Sequence, residues 1–152
     1  MKTSQVDVLV IGGGPAGLAA AIELKKSGVN SVRVLERERV AGGVPRHSFH
    51  PGYGLRDFKQ FLSGPKYAQK YVDAAKAAGV VISTLSTATQ LSDKNSVQVT
   101  SPAGIETISA RAIILATGAR ERARAARGLR PPSPASPSLA PRPARAIAWP
   151  AR

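Results

Sequence analysis

Gly12, Gly14 and Gly17 stand in the spacing GxGxxG within Gly12-Gly13-Gly14-Pro15-Ala16-Gly17, and Glu36 lies nineteen residues beyond the last of them. Each glycine has its own work at that spacing. The first allows a tight turn after a strand, the second lets backbone approach a pyrophosphate, and the third lets the following helix pack on the strand. A helix beginning at Pro15 adds unmet N–H groups and a positive dipole end, which suit phosphate. A carboxylate at Glu36 accepts hydrogen bonds from ribose hydroxyls and repels a 2′-phosphate; the plainer reading is a solvated glutamate among Arg37, Glu38 and Arg39. The chemistry on offer is the binding of a dinucleotide.

His47 and His50 are the only histidines, three apart, with Arg46 beside them. Three roles fit the pair: a structural or solvent-facing one, the lining of a cofactor or substrate cavity, and a metal site, although two histidines alone make a poor one. Arg46 either complements a phosphate or substrate carboxylate or is simply exposed. Tyr67 and Tyr71 sit at helical spacing and read as core-facing rather than catalytic. Lys25 and Lys26 compensate the dipole at the end of the first helix.

The elements that position these residues follow from the apolar pattern. Gln5 to Ile11 reads as a buried parallel strand. A helix runs from Pro15 to about Ser27-Gly28, and Asn30 to Leu35 is a second strand that closes a βαβ unit with Glu36 at its end. Arg37 to Gly54, rich in Gly and Pro, reads as a long irregular loop. Helices are predicted over Leu55 to Phe61 and Pro65 to Ala78, then strands over Val80 to Ser83 and Thr87 to Leu91. A hairpin joins Ser96 to Thr100 with Ile105 to Ser109, and Ala112 to Ala116 reads as a separate buried strand.

Composition divides the chain. Of its 152 residues, 22 are Lys or Arg and 9 are Asp or Glu, but from Ala123 to Arg152 there is no Lys, Asp, Glu, Asn, Gln or Thr. The predicted organisation is a domain over 1–122 and a Pro/Ala/Arg-rich tail over 123–152 that cannot bury enough apolar surface to order itself. The chain has no Cys, which excludes a disulfide framework, a thiolate metal site and a thiol redox centre. The apolar run from Val8 to Ile22 is broken by glycines and too short to cross a bilayer. A cytoplasmic protein is expected, with no specific nucleic-acid partner, since the basic excess has no interleaved aromatics.

The stretches IGGGPAGLAAAIEL, VLERERVAGG and IILATGAR resemble the FAD-binding half of the two-dinucleotide-domain flavoprotein oxidoreductases, the pyridine nucleotide-disulfide reductase-like superfamily, over about residues 5 to 122. Within it, residues 42 to 71 resemble the flavoprotein subunits of opine, hydroxyproline and similar amine dehydrogenases. The resemblance implies an α/β Rossmann-like domain with a parallel core sheet plus a small hairpin or meander, and it implies FAD rather than NAD.

By that resemblance Gly42 and Gly43 bring a loop against the bound dinucleotide, where positive φ and the lack of a side chain are needed. Thr117 and Gly118 of the Ala-Thr-Gly strand end run close to the flavin nucleotide, and Ala88 matches the position whose backbone meets adenine. Pro15, Ala16 and Arg37 complete the cofactor-binding set; no catalytic residue is assigned.

The superfamily continues with an NAD(P)-binding domain and a returning strand that completes the FAD site. The pattern is lost from about Gly128 onward, so the domain is expected to be incomplete and the tail aberrant, for instance out of frame; the alternative is a genuine basic, anion-binding tail. The function expected is that of the FAD-binding portion of a flavin-dependent oxidoreductase with little activity alone, its small-molecule substrate unknown and a partner subunit contemplated for the full-length parent. The competing reading is a non-catalytic dinucleotide-binding or interaction module.

Overall fold

The computed structural model describes residues 2–92 and 95–119. The predictions made for the tail lie outside the described residues. Four parallel strands form the heart of a six-stranded sheet: β1 (Lys2–Ile11), β2 (Val32–Leu35), β5 (Val81–Ser83) and β8 (Gly104–Leu115). Two antiparallel strands, β6 (Thr87–Ser92) and β7 (Ser96–Ser101), extend it, giving the order β5-β2-β1-β8-β7-β6. Helices α1 (Pro15–Lys26) and α3 (Gly64–Ala77) contribute to the core; the one-turn helix α2 (Leu55–Phe58) lies between the short strands β3 (Pro51–Tyr53) and β4 (Leu62–Ser63).

Successive side chains of a strand point to opposite faces, so a strand covered on both sides must be apolar throughout. β1 meets that demand over its second half. Val8 and Val10 pack with Val32 and Val34 against Leu18, Ala21 and Ile22 of α1 and Val72 and Ala75 of α3. Leu9 faces the other way and meets Leu35, Val97, Val99 and Ile108. The β6–β7–β8 meander covers this second face with its apolar side chains.

Three elements depart from their predicted forms. The expected hairpin strand and the expected strand 112–116 are one continuous β8, which pairs with β1 from Lys2↔Glu106 to Ile11↔Leu115. Its far end is not buried as expected, for Leu115 is 66% exposed. The loop 37–54 contains a turn of 3-10 helix at Val44–His47 and then β3. The helix expected over 55–61 stops at Phe58, because Lys59 turns to a left-handed φ of 54° and the chain pairs as β4.

A polar network binds the sheet across its strands. Arg33 on β2 clasps Glu106 on β8 with both terminal nitrogens at 3.0 Å, and the Ser4 hydroxyl on β1 donates to the same carboxylate at 2.6 Å. Arg33 also donates from Nε to Ser83 Oγ on β5 at 2.9 Å. The Arg33 guanidinium, helped by Ser4, holds the Glu106 carboxyl down at about 2.

A carboxyl whose folded pKa is depressed stabilises the fold above its unfolded value, near 4.3, and that contribution disappears as pH falls towards about 2. Glu106→Gln is therefore expected to lower stability by on the order of 1–2 kcal/mol at pH 7. Denaturant melts of both proteins check this: the gap between them should close between pH 5 and pH 2.5.

A candidate dinucleotide cradle at the carboxyl ends of the strands

In open α/β sheets, ligands bind beyond the carboxyl ends of the strands. There β1 runs into Gly12. Its φ is +116°, and a side chain at this position would collide with the carbonyl group of Ala116 at the end of β8. The turn therefore needs glycine twice over, for conformation and for space. Gly17, one helical turn on, lies against the Gly12 carbonyl and 3.2 Å from a Val10 methyl, measured from where its Cβ would stand. This contact seats α1 on the sheet.

The α1 N-terminus is open. Gly14 is its N-cap with no side-chain cap, and Pro15, the next residue, has no N–H of its own to satisfy. Gly43 faces it directly: at φ +63°, its Cβ would come within 2.9 Å of the Gly14 Cα. The Gly42 amide donates to the Gly13 carbonyl at 2.7 Å and so ties the second glycine turn to the first. The two bare backbones thus lie in close contact at the N-terminus of α1, the positive end of its dipole.

Glu36 lies at the end of β2, only 8% exposed. Its Oε2 accepts the Gly13 amide at 3.1 Å and its Oε1 accepts the Glu38 amide at 2.8 Å. Each carboxylate oxygen keeps a free lone pair. The solvated-glutamate reading does not describe this residue. Arg37 beside it is exposed.

The other expected residues are distributed around this centre. Ala116 donates to the Ile11 carbonyl at 2.8 Å, which brings Thr117 and Gly118 to the glycine turn. Both are exposed, Gly118 at φ +74°. Ala88 lies on β6 opposite Val99 and packs against the second core cluster. Its neighbour Ser86 approaches Glu36 more closely, with an amide that donates to the Glu36 carbonyl at 2.9 Å.

Sequence reasoning passed over Gly13 and Ala41 as separate contributors. A Cβ on Gly13 would meet Glu36 Oε2 at 2.9 Å and the Ala41 methyl at 3.3 Å. The middle glycine of the run was the available signal, since GxGxxG does not ask for it.

His47 and His50 are exposed. His50 Nδ1 lies 3.0 Å from the Pro51 carbonyl, and its ring is 5.5 Å from that of Tyr53. Among the described residues no three metal-ligating side chains gather. Tyr67 and Tyr71 form an aromatic group with Tyr53 and Phe58, and the Tyr67 hydroxyl donates to Asp57 at 2.6 Å. Desolvation and the Asp57 carboxylate raise the Tyr67 pKa, so this phenol stays protonated at neutral pH.

A hollow of about 460 Å³ opens elsewhere, where α1 passes into β2. Its acid, Asp7, accepts the Ser31 amide at 3.0 Å and faces Arg111 at 3.4 Å.

No helix among the described residues is long and apolar enough to cross a membrane. The sequence profile described as pyridine nucleotide-disulphide oxidoreductase matches residues 6–136. A 34.2 kDa protein of the rubredoxin operon of Clostridium pasteurianum is 34% identical over 129 residues, which cover 80% of this chain and 38% of that protein. An opine oxidase subunit of Agrobacterium tumefaciens (strain Ach5) is 33% identical over 122 residues, covering 76% of this chain and 24% of that one. The crystal structure of L-proline dehydrogenase from P. horikoshii superposes with a TM-score of 0.66 at 28% identity, over 77% of this chain and 23% of that one. The chain thus spans less than two fifths of the length of each of these three relatives.

Proposed function

Because the chain belongs to the pyridine nucleotide-disulphide oxidoreductase family, whose members are FAD-binding flavoproteins, we propose that it supplies the ADP-facing half of the FAD site of a flavin-dependent oxidoreductase. The observation that carries this reading is Glu36: a buried carboxylate whose two oxygens each accept one backbone amide, one of them from the glycine turn. It fits a ribose, whose two hydroxyls can meet the remaining lone pairs. The bare backbone surface that Gly14 and Gly43 form together suits a diphosphate, because neither residue places a side chain on it and it lies at a helix N-terminus.

In this reading Gly12, Gly14, Pro15, Ala16 and Gly17 form the diphosphate turn, Gly42 and Gly43 its opposite wall, and Glu36 with Arg37 the ribose end. Thr117 and Gly118 border the path towards the flavin, and Ala88 lies on the adenine side. When bound, FAD supplies the hydride-accepting chemistry; these residues hold its ADP portion in place and exclude water from it. The substrate of the longer protein is a small molecule or NAD(P)H. The Agrobacterium relative is by its name one component of a multi-subunit opine oxidase, and by that likeness the longer protein works with a partner subunit. The domain assignment of 1–122 and 123–152 accompanies this proposal, and the 152-residue chain alone is expected to turn over little.

Titration of the purified chain with FAD beside NAD tests the reading. FAD should quench its own fluorescence on binding with micromolar-range affinity, NAD should bind more weakly, and ADP should compete. A folded chain that binds neither nucleotide overturns the proposal.

A further inference from the structure

A closed ring of contacts runs round the cradle. The Gly13 amide meets Glu36 Oε2 at 3.1 Å, and Glu36 Oε1 accepts the Glu38 amide at 2.8 Å. The Glu38 carboxylate in turn accepts Arg46 Nη2. The Arg46 methylenes lie over Gly42, 3.1 and 3.2 Å from where its Cβ would stand, and the Gly42 amide returns to the Gly13 carbonyl at 2.7 Å. Arg46 thus packs against the second glycine turn, three residues beyond Gly43. It is not the exposed side chain that one sequence reading allowed, being 19% exposed. Its Nε is buried and has no hydrogen-bond partner among the described residues.

Buried guanidinium N–H groups are costly to leave unmet, because desolvation is paid with nothing returned. Two carboxylates, Glu36 and Glu38, also lie beside glycine turns that, in the FAD reading, must accept an anion. Phosphate oxygens match the fork of a guanidinium better than any neutral group does.

Resting on the FAD reading above, we propose that Arg46 is a diphosphate-positioning residue whose guanidinium Glu38 holds against the second glycine turn. The incoming diphosphate gives Nε its acceptor and competes with Glu38 for the guanidinium. Glu38 is then a resident anion that tunes affinity for the nucleotide, and Glu36 remains the ribose anchor.

Titrations of the full 152-residue chain with ADP and with adenosine separate this role from a structural one. Arg46→Ala should weaken ADP binding by about 10- to 100-fold, the range of one or two charge-assisted hydrogen bonds, while adenosine affinity stays within about twofold. Arg46→Lys, with a point charge in place of the fork, should fall between. Glu38→Gln removes the competing charge but keeps Arg46, so it should bind ADP as tightly as the parent chain or up to about tenfold more tightly.

Equal losses for ADP and adenosine in Arg46→Ala would make the residue structural and overturn the proposal, as would unchanged ADP affinity. Weaker ADP binding in Glu38→Gln would also overturn it, and this variant decides the matter if Arg46→Ala does not fold. Binding of ADP by the parent chain with no response to any of these variants leaves the FAD reading standing without Arg46; no binding by the parent chain removes both.

Discussion

Gly12→Val is expected to abolish the folded state. The new side chain must adopt a φ near +116° and enter space held by the Ala116 carbonyl group, and neither can yield without parting β1 from β8. A β-branched residue forced into that conformation adds strain to a backbone clash, and together they should cost more than about 4 kcal/mol, against about 5–15 kcal/mol for a whole domain. The control is Gly28→Ala. Gly28 also has a positive φ, +87°, but nothing lies within 4 Å of its missing Cβ, so only conformational strain remains, about 1–2 kcal/mol. Far-UV circular dichroism and a thermal melt of both variants test this. A cooperative melt for Gly12→Val near that of the parent chain would show that β1 and β8 are not locked at this point.

Glu36→Ala should produce the largest loss of binding in a chain that still folds. Removing the carboxylate deletes two charge-assisted acceptors for ribose hydroxyls, each worth about 1.5–3 kcal/mol, so FAD and ADP affinity should drop by about 100- to 1000-fold or more. It also leaves the Gly13 and Glu38 amides without their acceptor. Glu36→Gln separates the two effects, since its amide oxygen can still accept one of them. ADP carrying a 2′-phosphate gives a second readout. The parent chain should discriminate strongly against it, whereas Glu36→Ala should bind both nucleotides with similar, weak affinity. Isothermal titration of the three proteins with both ligands measures this; equal ADP affinity in all three would remove Glu36 from the site.

The parts of the fold that could be read from the sequence are those fixed by local pattern. Val8 to Ile11 is apolar without alternation because both faces of β1 are covered there, and Pro15 and Ser27-Gly28 mark the ends of α1. Glu36 was found by spacing because βαβ geometry places the end of β2 beside the turn after β1. Other features depend on partners distant in sequence. Ala110-Arg111 interrupts the apolar run, so β8 reads as two strands. In the fold β1 supplies a continuous ladder alongside, Val6 opposite Ala110 and Val8 opposite Ala112. Lys2 to Ser4 is polar and carries no strand signal, but it pairs with Glu106 to Ile108. The one-turn α2 ends at Lys59 because Tyr53 pairs with Leu62, which no periodicity reveals. At the cradle, Gly13, Ala41 and Ser86 act by closeness to Glu36, and Arg46 by closeness to Gly42; nothing in their spacing marks them.

The contact between Gly12 and Ala116 also sets an order of events during synthesis. The first glycine of the cradle emerges among the earliest residues, but the carbonyl it packs against is added about a hundred residues later. Ser4 and Glu106, joined across β1 and β8, are 102 positions apart, and closing such a span carries a large entropic cost before any contact rewards it. While a nascent chain lacks β8, β2 can pair with β1 and β5 and the helices can pack on them, but one edge of β1 stays unpaired. If the cradle holds a nucleotide as proposed, the site for it is complete only once β8 docks against β1. Any interruption of synthesis before that strand leaves a glycine-rich turn with the right sequence and no wall behind it.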